Sequence, residues 1–496
     1  MSLRFDWYPN YQHEVIISKS DLIIDRLITK GMAQRTKEDL KRTTQQILSA
    51  LYSAYTSLPK DTTSVSISLT SGHYSGTLYS FRMVQRIYEC LSDLKWIKSE
   101  KGSEYKKKIT RMWASGELSL AFDELLFTWI PQKPKPKNAL VVLRNFEHPE
   151  SKTKKGRGKK TDLSVPETAE VNQYRSDLYR YNQFLLKHCI SLRLDDENLN
   201  TLATEMMNKP KEDRETWETE EERVNCLDIR RLQLRRIFSR GSLEQGGRFY
   251  GGWWQSLPEI HRPHITINGK TTIEIDFSTI ALRILYAQQG IQVDLERDLY
   301  DIGLEDWSGD SDPRRKPIKT YVNAILNDER GNYRLNDQKQ KLIGISHQDL
   351  HKKVLTYHEP ISHLFNSGIG LHTQFIDSLI AERVMLRMME EDKLVLPIHD
   401  SFIVNVANAV RLLAAMLSVF EEIMKAEIGL SLSKIKWNHE FSLKEEEVRR
   451  LAENPNYRDE IIQHRVKELT GPITIMEEYL FSWMKLKQEL ISVDER

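Results

Sequence analysis

Two polar interruptions of apolar, β-prone runs carry acids that could do chemistry together. In "VLPIHDSFIV" (395–404), His399 and Asp400 stand side by side between Leu394-Val395-Leu396 and Phe402-Ile403-Val404, a pattern that reads as strand, turn, strand. A polar hairpin tip is one reading of that pair. A turn that presents a carboxylate to a metal is the other, and it requires a second carboxylate elsewhere in the chain. "TTIEIDFSTIALRILYAQQGI" (271–291) offers one: Ile273, Ile275 and Phe277 alternate with Thr272, Glu274 and Asp276, and from Ser278 onward the pattern turns helical. That alternation predicts a strand with its acids on one face and Asp276 at its end. Two such carboxylates could share hard divalent cations, because magnesium prefers oxygen ligands and keeps positions for water and substrate phosphates. Paired ions of that kind, roughly 3.5 to 4 Å apart, serve two-metal phosphoryl transfer.

A third segment has what a triphosphate needs. In "DPRRKPIKTYVNAILND" (312–328), Arg315, Lys319, Asn323 and Asn327 recur every four residues, which sets them on one slowly drifting helical stripe. Proline is tolerated only in the first turn, so Pro317 predicts a start near residues 314–316, with the cations at the anion-favouring end. Read alone, the segment is a solvated basic helix with two exposed asparagines. Upstream, "DIRRLQLRRIFSRGSLEQGGRFYGGWWQ" (228–255) is expected to join an arginine-rich helix to a glycine- and aromatic-rich stretch. There Arg248 with Phe249, Tyr250, Trp253 and Trp254 either combines a phosphate-binding cation with flat stacking surfaces or forms a glycine-rich turn packed by core aromatics.

The elements that must position these residues follow from the rest of the chain. "LYSFRMVQRIYECLSDL" (78–94) spaces Met83, Ile87, Leu91 and Leu94 as an amphipathic helix, and "KWIKSEKGSEYKKKITRMW" (95–113) reads as a hairpin with a lysine-rich turn. Helix followed by basic hairpin resembles the winged-helix DNA-binding domains of replication initiators and regulators. In that resemblance Lys106, Lys107, Lys108 and Arg111 are the wing cations on backbone phosphates; an ordinary hairpin with a solvated face is the alternative. "PQKPKPKN" (131–138) and "SKTKKGRGKKTD" (151–162) crowd out apolar periodicity, so 131–163 is expected to be a basic linker. Residues 170–240 read as helical and charged, and 446–496 as a helical tail.

In their order, three of these segments resemble motifs A, B and C of family A DNA polymerases and of the phage-type single-subunit RNA polymerases, over about residues 230 to 445. Asp276-Phe277-Ser278-Thr279-Ile280-Ala281-Leu282-Arg283 is similar to motif A, which implies metal binding through the Asp276 carboxylate and the Phe277 carbonyl. Arg315 and Lys319 fall on the motif B positions that grip a nucleoside triphosphate. His399-Asp400 matches motif C, and the continuation Ser401-Phe402 is closer to the RNA polymerase branch. Gly247-Arg248-Phe249-Tyr250 resembles the glycine-arginine element before the palm, and "LHTQFIDSLIAERVMLRM" (371–388), with Gln374, sits where the family places a template-contacting helix.

The resemblance implies an α+β right-hand polymerase: thumb-like helices at 164–245, palm at 246–290 and 381–445, short fingers at 291–380, preceded by a winged-helix-like domain at 1–130. It implies two Mg2+ (or Mn2+) ions on Asp276, Phe277 and Asp400, with His399 near the primer terminus, and DNA and/or RNA primer-template with nucleoside triphosphates as partners. Two departures shape the expectation. Ala281 stands where the DNA polymerases carry a glutamate that blocks the ribose 2′-hydroxyl, so ribonucleotides are expected to be accepted. Asn323 and Asn327 stand where motif B has aromatics, and could hydrogen-bond the ribose instead. No proofreading carboxylate set is legible before residue 230. A non-catalytic winged-helix initiator or regulator is the alternative, and a primase a third reading.

Composition narrows the classes. At 496 residues and 40% hydrophobic content the chain can build several cores. Lys+Arg (72) balance Asp+Glu (71), so any basic face must be local. Cys90, Cys189 and Cys226 are scattered and odd in number, which argues against a disulfide framework or a clustered zinc site. No leader is legible, and "LLAAMLSVF" (412–420) is shorter than the roughly 20 residues of a membrane span. A soluble, cytoplasmic protein without a membrane partner is expected.

Overall fold

The computed structural model describes residues 2–4, 10–32, 36–58, 63–68, 79–102, 110–125, 130, 132–147, 159–208, 227–295, 297–426 and 428. The architecture is mixed α+β. Strands β1 (Ser2–Arg4) and β2 (Asn10–Tyr11) precede α1 (Glu14–Thr29) and α2 (Lys37–Thr56); β3 (Ser64–Ile67), α3 (Phe81–Asp93), β4 (Ile97–Glu100), β5 (Thr110–Ala114), α4 (Gly116–Asp123) and β6 (Gln132–Lys133) follow. The first sheet has the order β1-β3-β5-β4; Ile24, Leu48, Ile87 and Leu91 of its helices, with Trp96 from the turn before β4, share one buried cluster with it. The expected helix at 78–94 is α3, whose buried residues Val84, Ile87 and Leu91 follow the helical period. The expected hairpin is β4 with β5, antiparallel, with Ser99 opposite Met112. Exposed Arg111 lies on β5; Lys106, Lys107 and Lys108 lie outside the described residues.

The basic linker expected at 131–163 is corrected. Residues 141–147 and 159–163 form antiparallel strands β7 (Val141–Glu147) and β8 (Lys159–Leu163). The physical reason is Val141-Val142-Leu143: an apolar run led by two β-branched residues and short enough to be hidden between two lysine-rich stretches, with Val141 and Leu143 buried. The C-terminal part of the linker, 159–162, thus supplies the partner strand.

Helix α5 (Ala169–Leu185), β9 (Ile190–Leu192) and α6 (Asp196–Asn208) come next, then β10 (Arg235–Phe238) and β11 (Gly246–Tyr250). The arginine-rich helix expected from residue 228 is also corrected: among the described residues, 227–234 is irregular and 235–238 is a strand. Its arginines do not form a solvated face. Arg230, Arg231 and Arg236 are buried, and β10 lies between β7, to which it runs parallel, and β11 in the order β11-β10-β7-β8. A stretch expected to be helical throughout therefore contributes β9 and β10 to two different sheets.

The third sheet carries the acids. Strands β12 (Ile265–Ile267) and β13 (Lys270–Asp276) lead into α7 (Ile280–Gln288), as the change of period at Ser278 predicts. Helices α8 (Arg315–Asn327), α9 (Asp337–Ile343), α10 (His347–Tyr357) and α11 (Gly370–Glu390) then lead to β14 (Val395–Ile398), β15 (Ser401–Asn405) and α12 (Ala409–Met424). The sheet order is β14-β15-β13-β12-β9, with β13 antiparallel to β15. Helix α12 and the buried side of α11 share one apolar cluster with this sheet, including Ile275, Phe277, Phe402, Ile380 and Phe420. A second cluster joins Leu282 and Leu285 of α7 to Ile318, Val322 and Ile325 of α8 and Leu350 of α10. Among the described residues no helix is long and apolar enough to cross a membrane.

Candidate active site

Backbone pairing brings the two carboxylates together. β13 and β15 are in register with Asp276 opposite Ser401, and Ile398 pairs with Ser401 so that His399 and Asp400 form a two-residue turn. The Phe277 amide donates to the Asp400 carbonyl at 3.3 Å. Asp276 and Asp400, separated in sequence by the five helices α7 to α11, thus meet at one end of one sheet. His399 takes a left-handed φ of +56° at the first turn position, where two-residue hairpins want positive φ. Two residues before Asp276, Glu274 shares its face but is committed elsewhere: it accepts from Ser401 Oγ at 2.6 Å and from Arg262 Nη1 at 2.9 Å. That ties the hairpin turn to β13.

Cations converge on the same place. Burial alone would push the Asp400 carboxyl up, but Arg248, Lys319 and His399 outweigh it, and the net displacement is below the usual aspartate value. Lys319 answers in kind: burial would lower its pKa, yet Tyr300, Asp400 and Asp276 hold it above the ordinary lysine value. The helix that carries Lys319 begins at Arg315 with Pro317 in its first turn, as the sequence predicts. Arg315 is not idle: Nε lies 2.8 Å from Asp298 and 3.0 Å from Asp310. Its guanidinium also stands 5.2 Å from the Tyr300 ring, with Lys319 Nζ 6.0 Å from the same ring. The half-buried Asn323 and Asn327 continue the stripe, and the Asn327 side-chain amide donates to the Asn323 carbonyl at 2.9 Å.

A third carboxylate, legible only as a polar residue in an apolar helical stripe, completes the cluster. Asp377 of α11 is buried and binds Arg248 at 2.9 Å through Nε and 2.8 Å through Nη2. Burial, reinforced by the charge of Asp400, pushes the Asp377 carboxyl up even though Arg248 opposes it. Arg248 itself is held above its ordinary value despite burial, by Asp377 and Asp400. One arginine therefore separates two acids whose pKa values move apart. Gly247 makes the approach possible: at φ +76°, a Cβ there would lie 2.9 Å from Ser378 Oγ on the same helix.

No protein-family model and no curated protein matches the chain.

Other expected residues are placed differently. Phe249, Tyr250, Trp253 and Trp254 are buried, so the core reading of that stretch holds and no open stacking platform is formed. The Tyr250 ring packs edge-on against His399, with centroids 5.6 Å apart. Trp254 Nε1 donates to the Pro397 carbonyl at 3.1 Å, fixing β14 just before the turn. Gln374 is half-buried on α11, one turn before Asp377, and Ala281 is half-buried in the first turn of α7. Sequence reasoning missed Asp377, Tyr300 and Asp298. It also missed Thr279, whose φ of +50° is a conformation that β-branched residues avoid.

The residues fit a hard divalent cation. Asp276 and Asp400 with the Phe277 carbonyl make an all-oxygen donor set, and the downward displacement of Asp400 keeps that half-buried carboxylate ionised. Among the described residues no group of three or more His, Cys, Asp or Glu could hold a metal; a two-carboxylate site leaves its other positions to water and substrate phosphates, as magnesium sites do.

Proposed function

We propose that the protein is a template-directed nucleotidyltransferase, a single-subunit nucleic-acid polymerase of the family A type. One observation carries the reading: the register of β13 and β15 brings Asp276 beside the Asp400 turn, and the field of both acids reaches Lys319 on α8. In this reading the third sheet is the palm, α8 to α10 belong to the fingers, and the N-terminal helix-and-hairpin unit is a winged-helix-like DNA-binding domain.

Magnesium, or manganese in its place, held by Asp276, Asp400 and the Phe277 carbonyl would lower the pKa of a strand's 3′-hydroxyl and stabilise charge on the α-phosphate and pyrophosphate. The chain's own groups do the rest. Lys319, kept protonated by the surrounding acids, donates to the triphosphate. Arg315 joins it when the triphosphate displaces Asp298 and Asp310, two acids that hold the guanidinium in the meantime. Arg248 faces a strand phosphate while Asp377 fixes its fork. Ala281 leaves room beside the sugar, so ribonucleotides are accepted, and Asn323 offers an amide to the ribose.

Calorimetry of the full chain with a nucleoside triphosphate, with and without magnesium, tests the reading. Binding that strengthens with magnesium and weakens in Lys319→Ala supports it; equal binding with and without the metal refutes it. A second reading, a nucleic-acid-binding platform without catalysis, draws on the capture of Arg315 by Asp298 and Asp310. In that case strands bind and no triphosphate does. Comparing ribo- with deoxynucleotide incorporation tests Ala281, and incorporation without a primer tests the primase variant.

A further inference from the structure

Helix α8 has a second working face. Tyr321 and Ile325 lie on the side away from Lys319 and Asn323, and there they border a cavity of about 100 Å3 together with Arg334, His347, Gln348, His351 and Asn366. That volume is room enough for a few waters or one small oxyanion.

The chemistry of the lining is one-sided. Among the described residues, every polar side chain at the cavity can donate a hydrogen bond, and none of those that line it is an aspartate or glutamate. Asp328, the acid whose charge reaches Tyr321, is occupied: its carboxylate accepts from the amides of Arg330 (3.0 Å), Asn332 (2.8 Å) and Tyr333 (2.7 Å). Those bonds shape the loop that carries Arg334. His351 Nδ1 lies 2.9 Å from the Tyr321 hydroxyl, so that pair is fixed.

Two buried polar atoms at the cavity are left over. His347 Nδ1 and the Asn366 side-chain oxygen have no hydrogen-bond partner among the described residues. Neither residue is loosely held. The His347 ring stands edge-on to Tyr321 at 5.4 Å, and the Asn366 backbone N–H donates to the Ile325 carbonyl at 2.7 Å from a left-handed φ of +56°. Buried polar groups are almost always paired with protein, water or ligand. The oxygen and nitrogen of a carboxamide are told apart only by their partners, so Asn366 can equally turn its NH2 inward.

We propose that this cavity binds a phosphate group, held by the Arg334 guanidinium, His347 Nδ1 and the Asn366 amide on the face of α8 opposite the carboxylate site. Phosphate supplies acceptors for all three donors, and arginine matches it with a planar fork. The site needs neither Asp276 nor Asp400, so it stands whether or not the proposed activity does. Its phosphate comes either from a strand backbone or from free phosphate, pyrophosphate or nucleotide.

The test titrates the full chain with inorganic phosphate and with pyrophosphate by calorimetry in metal-free buffer, and with a fluorescent single-stranded oligonucleotide by anisotropy. Arg334→Glu, at an exposed position, is expected to weaken phosphate binding by about tenfold or more. His347→Gln weakens it by a smaller factor, and the Asp276→Asn/Asp400→Asn double variant binds phosphate as the wild type does. Oligonucleotide affinity that falls in the same two variants assigns the phosphate to a strand backbone; unchanged oligonucleotide affinity assigns it to a free phosphate. No phosphate or pyrophosphate binding by the wild type, or equal binding in Arg334→Glu and His347→Gln, overturns the proposal.

Discussion

Arg236 and Arg248 stand on neighbouring strands and reach the same helix, yet they do different work. Arg236 on β10 is fully enclosed. It donates to the Gly247 carbonyl at 2.9 Å, to Glu382 at 2.8 Å and to Ser378 Oγ at 3.1 Å, and its guanidinium lies 4.0 Å from the Tyr174 ring. Arg248 on β11 spends its fork on a single acid, Asp377, keeps 22% of its side chain exposed, and feels the charge of Asp400. The first cluster is closed: each direction of the guanidinium has a partner, which suits a group that pins α11 to the sheet. The second is open on the side of the candidate metal site. Buried charge alone does not mark function; a charge with unsaturated reach into a cleft does.

Breaking the closed cluster should cost the most stability. Arg236→Met leaves the half-buried Glu382 without its counter-charge and empties the enclosed arginine site, and a broken buried pair costs about 3–5 kcal/mol. Urea unfolding measures it, and a loss under about 1 kcal/mol would mean that the cluster is not what pins α11. His358 is a second closed group, bonded to the Tyr286 hydroxyl at 2.9 Å and to the Leu299 carbonyl at 3.0 Å. Burial lowers its pKa to about 4. A depressed histidine contributes stability that is fully present above its unfolded pKa, about 6.5, and is lost as pH falls toward the folded value. The wild type should lose about 3 kcal/mol from this group between pH 6.5 and pH 4, and His358→Gln should flatten that part of the pH–stability curve; parallel curves contradict the assignment.

Opening the open cluster further should cost less. Arg248→Met removes a guanidinium that keeps 22% of its side chain exposed and bonds one acid, against the enclosed and fully partnered Arg236, so the loss should stay near 1–3 kcal/mol. Strand binding should respond instead, with the salt slope falling by about 1 as one phosphate contact disappears. An unchanged slope removes Arg248 from the strand path. The smallest effect is expected at Thr279, whose left-handed backbone sits three residues after Asp276. Thr279→Gly should stabilise the fold by about 0.5–1 kcal/mol, because relief of the αL strain outweighs the added chain entropy. Destabilisation would show that the Arg283 Nε bond to Thr279 Oγ1, at 3.3 Å, matters more than the strain.

How much of this was legible in the sequence depended on whether a local period carried it. The alternation at 271–276, the two-residue break at His399-Asp400, the Pro317 start of α8 and the amphipathic α3 are each fixed by neighbours in the chain, and each element lies where its pattern predicts. Strands β7 and β8 were hidden by lysines around a short Val-Val-Leu run. The arginines at 230–236 were misleading because cations read as solvated, whereas tertiary partners bury them: Arg230 stands 5.6 Å from the Tyr52 ring of the N-terminal unit. Asp377, Asp298 and Tyr300 belong to the site only through tertiary packing, Asp377 from α11 and the other two from the irregular stretch before α8. Their positions follow from no periodicity, and only the polar interruption of the α11 stripe at Asp377 could have pointed to one of them.

The central claim is that Asp276 and Asp400 hold the metal of a nucleotidyltransferase while Glu274, two residues away on the same face, is structural. Extension of a labelled primer on a template, with magnesium and each nucleotide set, measures it directly for Asp276→Asn, Asp400→Asn and Glu274→Gln, at a temperature where all three are folded. The account predicts that both aspartate variants lose extension by at least about 100-fold, whereas Glu274→Gln extends within a few-fold of the wild type. Extension unchanged in the aspartate variants, or abolished equally in all three, contradicts it.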